Sequence, residues 1–140
     1  DYNKTNITAI KFNADGSQKW VQTINRDVKS RNDGGKFLGI YACMMGENLV
    51  ITYQDFLYLH DGKPHMVVAP PLSMYRVNVI RKINADGIMV SETYLNDKRF
   101  AGSEAEYALL PVTGMKINDT TMWFTASRGL ELVSAKVTLQ

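Results

Sequence analysis

Cysteine is nearly absent: Cys43 stands alone, so no intrachain disulfide can staple the fold and stability has to come from a packed core. Histidine is as scarce, with only His60 and His65. No single sign of charge dominates either. Lysine and arginine number 16 against 14 acids, a formal net charge of +2, and Arg26, Lys29 and Arg31 are interrupted by Asp27 and Asp33. That lacks the basic stripe and stacking platform of nucleic-acid binding, and no nucleic-acid partner is expected. No apolar run approaches the roughly 18 residues of a membrane-spanning helix, and no signal-peptide pattern is present, so no membrane span is expected. The chain begins at Asp1 rather than Met, as a processed product or an excised piece would. Helical periodicity is missing; residues 103–110 come nearest, and Pro111 would end a helix there.

The usual catalytic signatures are missing as well. There is no Gly-x-Ser-x-Gly elbow, and Gly34-Gly35 is followed by no Lys-Ser/Thr pair to cradle phosphate. Cys43 lies in the apolar run 37–45, a setting that does not activate a thiol, and reads as a small hydrophobe. Glu104 and Glu106 read as solvated acids. Nothing here marks the chain as an enzyme, and no cofactor is expected.

What is present is a β pattern. The chain is 45% hydrophobic and 21% charged, an ordinary globular composition. Lys11-Phe12-Asn13-Ala14-Asp15-Gly16 is matched by Lys82-Ile83-Asn84-Ala85-Asp86-Gly87 at an offset of 71 (82 − 11). The same offset carries Met44 onto Met115 and the turn at Asn48 onto that at Asp119. It also lays 37–45 over 108–116, and 49–53 over 120–124. Two repeats are expected, about 6–72 and 73–140.

Each repeat reads as short strands divided by turns. Thr8, Ile10 and Phe12 share a face before the first Asp-Gly, as Tyr75, Val77 and Val79 do before the second; the glycine supplies the left-handed backbone of a tight hairpin. The run 37–45 suggests a strand covered on both faces. The tail alternates, with Val133, Ala135, Val137 and Leu139 on one side. About nine strands result. The expected fold is all-β, two tandem antiparallel meanders forming a single unit over 1–140; a closed up-and-down barrel or a two-layer sandwich is the alternative.

The segments Lys11–Gly16 with Trp20, and Lys82–Gly87, make the meander resemble a β-propeller blade, in the distant style of secreted bacterial repeat proteins of the quinoprotein-like kind. Ser91 stands opposite Trp20 in the second copy, a departure from the pattern. The resemblance implies a non-catalytic binding module of a secreted or cell-surface bacterial protein, in an extracytoplasmic setting. It also implies that other blades of the same protein, or self-association, cover the open sheet edges.

Two groups of residues are candidates for a site. Tyr53, Asp55, Tyr58 and His60 form an aromatic strip suited to stacking on a glycan or a protein segment. His60, Asp61 and His65 lie across an expected Asp61-Gly62 turn and supply ligand types for a transition metal, which would make the chain a metal-dependent enzyme. Asn13–Ser17 lacks the alternating acids of a calcium loop and reads as plain turn chemistry. A ligand-carrying barrel would need Phe12, Trp20, Ile40 and Trp123 around one cavity.

Overall fold

The computed structural model describes residues 2–26, 28–30, 38–56, 76–95, 108–128 and 130–140. They are all-β, with no helix among them. Eleven strands follow in order: β1 (Tyr2–Lys4), β2 (Ile7–Phe12), β3 (Gln18–Ile24), β4 (Val28–Ser30), β5 (Ile40–Met45), β6 (Asn48–Phe56), β7 (Arg76–Ile83), β8 (Met89–Leu95), β9 (Ala108–Lys116), β10 (Thr121–Arg128) and β11 (Glu131–Thr138). Nine are long enough to match the count expected from the sequence. The other two, β1 and β4, form a short pair of their own.

All pairing is antiparallel. β2 pairs with β3, β5-β6-β7-β8 form a four-stranded meander, and β9-β10-β11 form a three-stranded one. The described strands thus fall into separate sheets and no closed barrel forms, which corrects that alternative. The four-stranded sheet joins β5 and β6, before residue 72, with β7 and β8, after it.

Packing arranges the sheets as layers. Ile7 and Ile24 of the β2–β3 hairpin bury against Ile51, Tyr53, Val77, Val79 and Ile83 on one face of the central sheet. Its other face contributes Met45, Val50 and Ile80, which meet Leu109, Met122, Phe124 and Ala126 of the third sheet. β6 is therefore paired on both edges and covered on both faces, and residues 50–55 are all buried.

The run 37–45 was expected to hold that position. Instead β5 is an edge strand whose alternate residues are exposed, Ile40 and Met44 among them. It packs by shape on β9 and β10: Tyr41 meets Phe124 of β10 edge-on at 5.6 Å, and its ring occupies the space that a Cβ on Gly114 of β9 would need. β9 carries a wide bulge, because four residues, 111–114, stand against Phe124 alone in the β10 register. Pro111, with no N–H to give, begins the bulge, as the ladder chemistry requires. Thr113 fills it, its hydroxyl donating to Leu110 O at 2.7 Å and accepting from Thr125 N at 2.8 Å.

Two turns share one backbone plan. Asn13 N donates to Ser17 O and Gly16 N to Asn13 O, at 2.8 and 3.0 Å; Asn84 N donates to Ile88 O and Gly87 N to Asn84 O, at 2.9 and 3.1 Å. Gly16 and Gly87 have φ of 84° and 82°. The side chains that brace the turns differ. Asp15 Oδ1 accepts from Ser17 N and Oγ in the first, holding that carboxyl below its usual range, whereas Asn84 Oδ1 accepts from Asp86 N and Ile88 N in the second.

Their surroundings differ more. The β2–β3 hairpin clasps the second turn: Trp20 Nε1 donates to Ala85 O at 3.1 Å and Gln22 Nε2 to Gly87 O at 2.5 Å. Lys11 and Lys19 reach the same Ala85 oxygen at 3.3 and 3.1 Å. A Cβ on Gly87 would lie 2.7 Å from Trp20 Cγ, but one on Gly16 would meet nothing within 4 Å.

Both glycines need positive φ, so alanine at either should cost about 1–2 kcal/mol for the backbone alone. Gly87→Ala should lose roughly 1–3 kcal/mol more by overpacking the indole. Urea denaturation of the two variants checks this, and equal losses would mean that the clasp does not constrain the turn.

Candidate functional site

Residues of β6 point alternately to the two covered faces, so its polar side chains enter the layers on either side. Toward the hairpin, Tyr53 stands opposite Val79 and Ile51 opposite Arg81 on β7; these in turn face Tyr94 and Glu92 on β8. Arg81 is ion-paired with Glu92, and the Tyr94 hydroxyl donates to the same carboxylate. Arg26, just beyond β3, is buried here. Two cations approach the Tyr53 ring, the Arg26 guanidinium carbon at 5.6 Å from its centroid and that of Arg81 at 6.0 Å.

Arg26 binds backbone as well as ring. Its Nε donates to Gln54 O and its Nη1 to Leu38 O, both at 2.9 Å, while its own N–H is taken by Asn6 Oδ1 at 3.2 Å. On the opposite face, Gln54 Nε2 donates to Leu109 O at 3.0 Å and Asn78 Oδ1 at 3.2 Å. A line of hydrogen bonds therefore crosses from the hairpin through β6 to the third sheet.

The group is close to charge-neutral, with Arg26 and Arg81 set against Asp55 and Glu92. Burial pushes the Tyr53 hydroxyl well above its ordinary 10.0; Arg81 opposes the shift, Asp55 and Glu92 add to it, and Arg26 opposes it. That oxygen is buried and makes no hydrogen bond among the described residues. A neutral phenol enclosed in this way is a poor proton carrier or nucleophile. The hydrogen bonds of the cluster tie the hairpin, β6 and the third sheet to one another.

Of the residues singled out in the sequence, Tyr53 and Asp55 are fully buried in this cluster, while Tyr58, His60, Asp61 and His65 lie outside the described residues. Among the described residues, no group of three His, Cys, Asp or Glu side chains could hold a metal ion. Phe12, Ile40 and Trp123 are exposed on three different sheets, and Trp20 is taken up by the turn at 84–87; the four are not brought together. Cys43 is half-buried, beside a Tyr41 hydroxyl whose pKa is pushed up first by burial and then by that thiol.

Sequence reasoning missed Arg26, Gln54, Arg81 and Glu92. For the last two a signal existed: Arg81 and Glu92 flank the Gly87 turn at positions that antiparallel pairing places side by side. Comparison of the chain with family models, curated proteins and solved structures finds no match.

A buried hydroxyl without a partner costs about 1–3 kcal/mol, so Tyr53→Phe should leave stability at neutral pH unchanged or raised. Above pH 10 the effect has a sign. The unfolded phenol ionises near 10.0 and the folded one well above it, so the unfolded state releases its proton first and stability falls with rising pH. The variant should lose less stability than the parent over that range. Urea titrations at neutral and alkaline pH check both expectations, and a neutral-pH loss above about 1 kcal/mol would mean that the hydroxyl is bonded.

Proposed function

We propose that the chain is a run of blade-like repeats from a secreted or cell-surface bacterial β-propeller-like protein, and that it serves as a non-catalytic module binding a protein or a glycan. The observation that carries this reading is the interlock between successive layers. Turns 13–17 and 84–88 have the same backbone bonds, and the hairpin that carries the first grips the second through Trp20, Gln22, Lys11 and Lys19. On this reading sheets begin with β5 and β9, and the β2–β3 hairpin is the latter half of an earlier one.

Support for a binding role comes from how the polar residues are used. The interior cluster is enclosed and its charges are matched, which suits a scaffold. Tyr53 and Asp55 would act from within by fixing β6, so direct ligand contacts fall to Tyr58 and His60.

The test is presentation of the protein to glycan and peptide arrays, followed by titration of any ligand found. Saturable binding without turnover is expected, weakened at least tenfold by Tyr58→Ala or His60→Ala with an unchanged circular dichroism spectrum. Turnover of a chromogenic ester, phosphoester or glycoside, or binding indifferent to both variants, would contradict the proposal.

A further inference from the structure

The faces at the two ends of the layer stack differ, and each has a covered counterpart within the chain. Seventy-one residues before Val79, Arg81 and Ile83 stand Thr8, Ile10 and Phe12 (79 − 8, 81 − 10 and 83 − 12). In the central sheet that face is closed off by the β2–β3 hairpin, with Val79 and Ile83 at 0% and 2% exposure. In the hairpin itself the same face is open: Ile10 is 48% and Phe12 59% exposed, with Val21 beside them. Thr8 and Thr23 complete it, so these five residues carry no charge.

The opposite end shows the reverse. Val50, Thr52 and Gln54, on the face of β6 that meets the third sheet, are matched at the same offset by Thr121, Trp123 and Thr125 (121 − 50 = 71). The first three are buried. Trp123 and its cross-strand neighbour Met115 are exposed, as is Leu132 on β11. The stack therefore has a front and a back, and the front-to-back contact forms twice inside the chain.

We infer that the outer face of β2–β3 (Thr8, Ile10, Phe12, Val21, Thr23) docks the outer face of β9–β11 (Met115, Trp123, Leu132) of a second copy of this chain. The inference rests on the repeat reading above. The two faces continue the sheet-on-sheet contacts already present, the front is uncharged, the back presents Met115, Trp123 and Leu132 with Lys136 across from Trp123, and one chain carries both halves of the fit. Such a contact is heterologous: each copy uses its front on one neighbour and its back on another, giving a ring if the rotation closes and an open chain if it does not.

Phe12→Glu spoils the front alone and Trp123→Glu the back alone. By sedimentation, the parent should grow in mass with concentration and each variant should stay monomeric. An equimolar mixture of the two should form a 1:1 dimer and nothing larger, because one sound front and one sound back remain. Should either variant lose its native circular dichroism spectrum, Ile10→Lys and Leu132→Lys replace them at the same two ends. A parent that is monomeric at every concentration, single variants that associate like the parent, or a mixture that fails to dimerise would overturn the inference. A monomer that still binds on the arrays overturns the stacking alone, whereas an assembly that binds nothing leaves it standing and counts against the binding module.

Discussion

Strand β6 is enclosed on all sides, and the rest of the structure follows from that enclosure. A strand paired on both edges and covered on both faces has no water to satisfy its polar side chains or an interrupted ladder, and each unpaired group costs about 1–3 kcal/mol. Arg26 meets that demand from one side by donating to Gln54 O and Leu38 O. Gln54 meets it on the other by donating to Leu109 O. These bonds have direction and length, unlike the apolar contacts around them, so they fix how far each layer is offset from the next. Burying a guanidinium is costly unless it is paired and hydrogen-bonded, and for Arg26 the Gln54 and Leu38 carbonyls and the Tyr53 ring supply surroundings that make it tolerable.

The same economy governs the sheet-to-sheet contacts. Trp20 lies over Gly87 because glycine offers both the positive φ that closes the turn and a flat surface with no Cβ. Tyr41 lies over Gly114 for the second reason alone. Large residues on one layer thus fit bare backbone on the next, and between the central and third sheets the fit is reciprocal, since the Val112 side chain fills the space beside Gly39. The two ends of the stack expose unlike faces, with Phe12 and Ile10 at one and Trp123 and Met115 at the other.

Much of the architecture was legible in the sequence. The Asn-Ala-Asp-Gly turns, the overlay of 49–53 on 120–124 and the alternation of β11 announced an antiparallel all-β chain. Burial was less legible. Apolarity over 37–45 suggested a central strand, but Gly39 and Tyr41 are there to fit β9, and Ile40 and Met44 remain exposed. Thr52, Gln54 and Asp55 are polar, yet all three are enclosed, and Gln54 finds its acceptors, Leu109 O and Asn78 Oδ1, in distant segments. Those partners leave no local trace: Arg26 lies 28 residues from the carbonyl it caps, and Gln54 lies 55 from Leu109. The bulge at 111–114 was foreshadowed by Pro111 and not recognised, which is why Met115 comes to face Trp123 rather than Thr120.

If the enclosure of β6 ties the layers together, the hairpin, the four-stranded sheet and the three-stranded sheet form one cooperative unit. Native-state amide hydrogen exchange, resolved by residue, tests this most directly. The slowest amides of β2–β3, β6 and β9–β11 should exchange with a common free energy and a common denaturant dependence, and all three should fall together in Gln54→Ala. A β2–β3 hairpin that opens at a lower free energy while β6 stays protected would contradict the claim.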